Sequence, residues 1–476
     1  MGSFLTSLSG TASTLDALQY ALNVASNNID NASTPGYASQ IANLEAAPFD
    51  PSVGLTGGVL QGPVTDSRDL LAEEDVWQQA GAQGASTAAN EALTDVQNAL
   101  PTSTNSGIPA ALTNFFSAVS AWSASPDDGS TEQSVMDASS SLAQSFNTTA
   151  AAVGSASQSL NQDIGSTVSQ INSLTGQLAN LNAAVMQGGQ NDAGLSAQIY
   201  STLENLSGLV NIQVLPQQDG TVSVTLSGGE ALVVGSNQYA LTNGAVAAPT
   251  SNPIDSEAPP LMAIYGADGA DVTAQVTSGT LAGQLQVSNT VIPSLTGDAA
   301  QPGALNQLAS SLAGAVNQIV STGFVSAGVP AATGLFLTNA AHPDSAAATL
   351  AVDPNMSASG LPAIDANNVA NGVPLDLAAL ASAPQSSLGN ASFTGYYGNA
   401  AAEVGSQLNA ASSNQTLATQ SLAQAQSMRQ TAEGVDLNAE AVNVMQLQDG
   451  YQAAAKLIET LSTLAQSVID MIPSSS

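Results

Sequence analysis

GVDLNAEAVNVMQLQDGYQAAAKLIETLSTLAQSVIDMI, residues 434–472, is the stretch from which the rest of the chain is best read. Alternating three- and four-residue steps pick out Leu447, Gly450, Ala454, Leu457, Leu461, Leu464, Val468 and Met471, all apolar or small. A neighbouring row adds Tyr451, Ala455, Ile458, Ala465 and Ile469. Together they form a wide apolar stripe with the seven-residue period of a coiled coil. The opposite end of the chain offers a matching helix. Phe4, Leu8, Thr11, Leu15, Leu18, Leu22, Ala25 and Ile29 keep the same alternating steps until Pro35 and Gly36 stop them. The pattern is compatible with a terminal coiled coil and equally with two ordinary core helices.

Between these ends the periodicity changes several times. Extended pieces and turns are expected from about 38 to 66, and helices over 70–100, 107–122, 127–187 and 194–209. Spacing of two then takes over. Val210, Ile212 and Val214 alternate, Gln218-Asp219-Gly220 turns, Val222, Val224 and Leu226 alternate, and Gly228-Gly229 leads into Leu232-Val233-Val234. Short strands are expected to about 285, a helix over 302–322, an irregular stretch over 324–395, and helix from Tyr396 onward with a break at Gly434. Asp436 or Asn438 suits the cap of the last helix. The expected fold is multidomain, elongated α+β. A terminal coiled-coil domain takes 1–45 plus 400–476, a mainly helical domain 46–205 plus 286–399, and a β-rich inserted domain 206–285.

Composition removes several function classes. Arg68, Arg429 and Lys456 are the only cations against 36 carboxylates, giving a net charge of −33. Phosphate backbones and anionic membrane surfaces need clustered Lys and Arg, so neither nucleic acid nor membrane is an expected partner. No run of about 18 apolar residues is present, and no basic signal-peptide start. The chain has no cysteine and one histidine, His342, in a loop-like run to which no role is assigned. No glycine-rich phosphate loop, nucleophile elbow or histidine-paired serine occurs. Glu73-Glu74-Asp75 and Asp127-Asp128 read as helix-start charges rather than as metal ligands. No catalytic, cofactor or metal residue is therefore expected, and aromatic residues, 4% of the chain, are too few for a typical sugar cleft.

Two motifs are more specific. Ala25-Ser26-Asn27-Asn28-Ile29-Asp30-Asn31-Ala32-Ser33-Thr34-Pro35-Gly36-Tyr37 resembles the N-terminal motif of the bacterial flagellar axial proteins, the family of rod, hook and hook-associated subunits. Gly434-Val435-Asp436-Leu437-Asn438-Ala439-Glu440-Ala441-Val442-Asn443, with Tyr451-Gln452-Ala453-Ala454-Ala455-Lys456 after it, resembles their C-terminal motif. The Thr-Pro-Gly-Tyr and Glu-Ala-Val-Asn forms look most like the hook-associated branch, as does the middle of the chain. Where the family usually carries Arg before Gln, this chain has Ser39 before Gln40.

The resemblance implies a secreted structural subunit with no cofactor. It would pass an export chaperone and the flagellar type III channel, then polymerise at the hook tip as a helical layer joining hook to filament. Its neighbours would be hook protein and the second junction protein. The terminal helices would fold on assembly, with Leu8, Leu15, Leu18, Leu22, Ile29, Leu447, Tyr451, Leu457, Leu461, Leu464 and Val468 as assembly residues. Ser26, Asn27, Asn28, Asn31, Pro35, Gly36, Tyr37, Glu440, Asn443, Gln452 and Lys456 carry the family motif. Another axial protein of the hook or distal rod, or a secreted acidic adhesin, are the other readings.

Overall fold

The computed structural model describes residues 2–50, 52, 54–103, 105–189, 192–246, 259–298, 301–339 and 345–470. His342 and Met471 lie outside these residues, as do the side chains of Phe4 and Val468. Helix α1 is Gly2–Asn31. It runs into an antiparallel hairpin of β1 (Gln40–Ala46) and β4 (Val59–Asp66), with the small pair β2 (Phe49–Asp50) and β3 (Leu55–Thr56) at its far end. The central helices are α2 (Leu70–Asn98), α3 (Gly107–Ala124), α4 (Gly129–Ala184) and α5 (Ala193–Leu209). All four match the sequence periodicity closely.

At ~1.5 Å per residue, α4 is a rod of about 84 Å. Its buried seam runs Val135, Leu142, Phe146, Val153, Leu160, Ile164, Ile171 and Leu178. Ser139 and Thr175 interrupt that seam without an unsatisfied hydroxyl. Each donates to the carbonyl four residues back, Val135 at 2.7 Å and Ile171 at 3.0 Å. The rod ends in a π turn, Val185–Gly189, where Gly188 takes a φ of 115°.

The strands that follow form an antiparallel sheet in the order β5 (Gln213–Pro216), β6 (Val222–Thr225), β7 (Ala231–Val234), β8 (Asn237–Gln238), and a separate pair β9 (Thr242–Ala245) with β10 (Met262–Tyr265). Two asparagines of α4 dock this unit on the rod. Fully buried Asn182 donates to Val222 O and Gly235 O and accepts from Val222 N. Asn172 exchanges two bonds with Leu241.

Strands were expected to about 285, but the chain turns helical earlier, in α6 (Thr280–Gln286), a π turn (Val287–Val291) and α7 (Ile292–Thr296). Close backbone packing decides this. A β-carbon on Gly283 would stand 2.1 Å from Ala85 O of α2, so only glycine lets α6 approach so near.

Helix α8 (Ala304–Ser321) and two short helices, α9 (Ala346–Thr349) and α10 (Gly372–Ala379), complete the core around Trp122, Phe115, Phe146, Phe336, Phe393 and Tyr397. Helix α11 (Phe393–Glu433) lies along α2 and buries Val404, Ala411, Ala418 and Ala425 at seven-residue steps. Gln415, a polar break in that beat, is matched by Asn90 and Thr87 of α2. The expected terminal unit began at residue 400. Residues 400–433 instead pack on α2, because the small residues of α11 fit α2. The last helix, α12 (Leu437–Asp470), lies against α1. Asp436 caps it, accepting from Asn438 N and Ala439 N.

Candidate assembly surface

The two terminal helices meet each other within one chain. On α1 the most deeply buried apolar side chains are the small ones, Ala17, Ala21 and Ala25, with Val24. Small residues let the helix sit close to the β1–β4 hairpin, where Val59 N donates to Thr14 Oγ1 at 3.1 Å. Leu8, Leu15, Leu18 and Leu22 are half-buried, and Ile29 is exposed. Leu18 reaches α12 over Gly450, its methyl carbons 3.6 and 3.7 Å from where a β-carbon there would stand.

The expected single seam of α12 is split by this pairing. Leu447, Gly450, Tyr451 and Leu461 are half-buried, and Ala454 is buried. Leu457 and Leu464, seven residues apart and so on one face, are about half exposed at 51% and 54%. Leu437, Val442 and Met445 are also exposed. At Leu457 an open groove of about 380 Å³ runs between α1, the Gly57-Gly58 segment and α12, lined by Gly10, Thr11, Ala454, Leu457 and Leu461. The chain's own N-terminal helix covers one side of α12 and leaves an apolar flank bare.

At the base of the pair, the Asn-rich turn becomes a structural knot. Asn28 is 1% exposed, and its amide is fully used. Nδ2 donates to Gln40 O at 2.8 Å and to Glu440 Oε1 at 2.6 Å. Oδ1 accepts from Tyr37 OH at 2.9 Å and from Gln40 N at 2.8 Å. One side chain therefore fastens the end of α1, the start of β1 and the start of α12. Burial, with the Glu440 carboxylate adding to it, pushes the Tyr37 phenol up to about 12, so it remains a donor. Asn31 closes the helix end by donating to Asn27 O. Gly36 has φ +74°, and a β-carbon on it would lie 2.3 Å from Ala197 O of α5. The Pro35-Gly36 turn thus rests directly on α5 backbone.

A charged cluster continues the knot into the body. Glu73, fully buried on α2, is gripped by Arg68 and by Arg429, the latter at 3.0 Å. Arg429 also holds Glu204 at 2.8 Å. The second amine of Arg68 donates to Gly36 O at 2.8 Å, and its guanidinium lies 3.7 Å above the Tyr200 ring, a cation–π contact. Glu433, the last residue of α11, accepts from Asp69 N at 2.9 Å, while its backbone carbonyl accepts from Ser39 N and Ser67 Oγ. Two of the chain's three cations are thus enclosed where both terminal helices join the body.

The structure brings Asn28, Gly36, Tyr37 and Glu440 together, along with Leu18, Gly450 and Ala454. It leaves Ser26, Asn27, Pro35, Asn443 and Gln452 exposed, with Asn443 donating to Glu440 Oε2 at 3.4 Å and Pro35 at the rim of the cleft that Gly36, Tyr37 and Glu73 line. Lys456 is 81% exposed and, among the described residues, pairs only with Glu459, three residues on. The sequence marks Glu73 only as a helix-start charge, Arg429 only as a polar break in a heptad beat and Gln40 only through the family motif, and periodicity gives no hint of Arg68, Tyr200, Glu204 and Glu433. Glu73 is instead a fully buried ion-pair partner. The one available clue was rarity: in a chain with three basic residues, each position is informative.

Comparison with known proteins places matches at both ends and across the middle. The family model described as the helical domain of the flagellar hook-associated protein FlgK matches residues 93–336. The model of the flagella basal body rod protein matches 11–37, and that of the C-terminal region of the flagellar basal body rod FlgEFG proteins matches 419–471. The chain is similar to flagellar hook-associated protein 1 of Escherichia coli K12, 26% identical over 48% of this chain and 43% of that one. It is also similar to the protein of the same name from Bacillus subtilis 168, 26% identical over 44% of this chain and 46% of that one. The match thus spans less than half the length of these relatives. A solved structure of the flagellar hook junction protein FlgK from Burkholderia pseudomallei aligns with a TM-score of 0.48 at 26% identity, over 56% of this chain and 46% of that one.

Proposed function

The chain belongs to the family of the flagellar hook-associated protein FlgK, and from that membership we propose that it is a structural subunit that joins hook to filament. The observation that carries the reading is the half-covered α12. Leu457 and Leu464 stand bare on a helix whose other side is already occupied by α1. Fully burying one Leu contributes about 1.5–3 kcal/mol, which this chain alone does not realise at either position. Neighbouring copies in a helical layer supply the missing cover.

In this reading the molecule works by packing, and it is not an enzyme. The terminal unit is α1, the β1–β4 hairpin and α12, and the body is α2 through α11. The β5–β10 strands form an insertion docked on α4 by Asn172 and Asn182. Most of a helix's stability in a protein comes from packing its apolar face, so α1 and α12 gain their final stability in the layer. Hook protein on one side and the second junction protein on the other are the proposed neighbours. A chaperone and the type III export channel come before them. The hook–filament position is preferred over hook or distal rod because the helical-domain match fills the middle of the chain, whereas both terminal matches are to rod-type models.

The test is a deletion strain. Flagella that retain the hook but lose the filament, restored by the full chain, are expected. A deletion that leaves filaments intact, or one that removes the hook as well, overturns the proposal.

A further inference from the structure

We propose that copies of this chain meet through contacts without ion pairs, so that their association is promoted, not weakened, by salt. The inference rests on the self-assembly reading above and adds the chemistry of the contact. An ion pair between copies needs a basic side chain free to face a carboxylate. The chain has three such side chains against 36 carboxylates. Arg68 is 5% exposed and enclosed by Glu73 and the Tyr200 ring. Arg429 is held between Glu73 and Glu204. Lys456 alone is exposed, and it already lies 2.8 Å from Glu459 on its own helix.

The helices that carry the bare apolar flank add more negative than positive charge to the surface: among their described residues Lys456, beside Leu457, is the one exposed cation, and Glu459 already faces it. Asp16 and Asp30 on α1 and Asp449 on α12 are exposed. Two copies approaching along this face bring carboxylate toward carboxylate. The attraction comes from Leu457, Leu464 and their neighbours, and it is independent of charge. The opposition is Coulombic and is screened as the Debye length falls from about 30 Å at ~0.01 M salt to about 3 Å at ~1 M. A surface laced with ion pairs between copies would behave in the opposite sense.

Sedimentation equilibrium of the full chain across that range of sodium chloride tests this, alongside the double variant Asp16→Asn/Asp449→Asn. Self-association of the parent chain should strengthen by roughly tenfold or more from low to high salt. The variant should associate more tightly than the parent at low salt and equally at high salt. That difference separates charge screening from a general salting-out of apolar surface. Association that weakens with salt, or a variant that matches the parent at every salt concentration, overturns the inference and leaves the self-assembly reading standing. A chain that stays monomeric throughout overturns the inference, while the self-assembly reading is tested separately by the deletion strain.

Discussion

Asn28 and Glu440 stand 412 positions apart in the sequence, and their side chains share a hydrogen bond of 2.6 Å. That bond joins the end of the first helix to the start of the last. It is the central member of a set of four made by one buried amide, and it explains why the motifs at the two chain ends belong to one structural unit.

Asn28→Ala should loosen that unit selectively. The change leaves Gln40 N–H and the Tyr37 hydroxyl without their acceptor and Glu440 without its donor. Orphaned buried groups cost about 1–3 kcal/mol each. Hydrogen exchange should accelerate at the end of α1 and the start of α12 while α4 keeps its protection. Unchanged exchange at the terminal helices would contradict the role given to this side chain.

Arg68→Met removes one of two cations facing buried Glu73 and the donor to Gly36 O. Deleting the one partner of a buried charge costs about 3–5 kcal/mol, and because Arg429 still faces Glu73 at 3.0 Å the loss should fall at or below about 3 kcal/mol. Urea denaturation should show a loss of that order, with Arg68→Lys intermediate, since ammonium keeps the charge but not the fork. A loss below about 1 kcal/mol would show that the cluster is not structural.

Glu433 predicts a pH dependence of unusual sign. Burial pushes its carboxyl up from 4.5 to about 7, and the Glu73 carboxylate adds to this against the Asp69 N–H and both arginines. The folded chain therefore holds a proton that the unfolded chain has lost between these two values. Stability is greatest at or below the lower value, falls as pH rises through the window, and does not return above it. Acidification from about pH 8 to about pH 5 should stabilise the parent chain by roughly 1–3 kcal/mol more than Glu433→Gln. Equal pH profiles for the two proteins would rule this out.

How much of this was legible in the sequence depends on whether an element is fixed by local period or by distant contact. The 129–184 helix announced itself through Ile164, Ile171 and Leu178 at helical steps, and the β5–β7 meander through Asp219-Gly220 and Gly228-Gly229. The turn at 280–296 did not, because its helicity depends on Gly283 approaching Ala85 across nearly two hundred residues. The terminal seam was legible as a seam, but period alone cannot say which of its leucines face α1 and which remain open. The cluster of Arg68, Glu73, Glu204, Arg429 and Glu433 was hidden for the same reason. Its members come from α2, α5, α11 and the loop before α2, and only their meeting gives them a role.

The central claim is that the flank of α12 left open by α1 is covered by neighbouring copies. The chain contains no cysteine, so Leu464→Cys introduces a unique thiol. The decisive measurement is its rate of maleimide labelling in the free chain and in assembled flagella, with Leu215→Cys on the exposed β5 strand as reference. The account predicts fast labelling of both thiols in the free chain and strong protection of position 464 alone after assembly. Position 464 labelling as fast in flagella as in the free chain would contradict it.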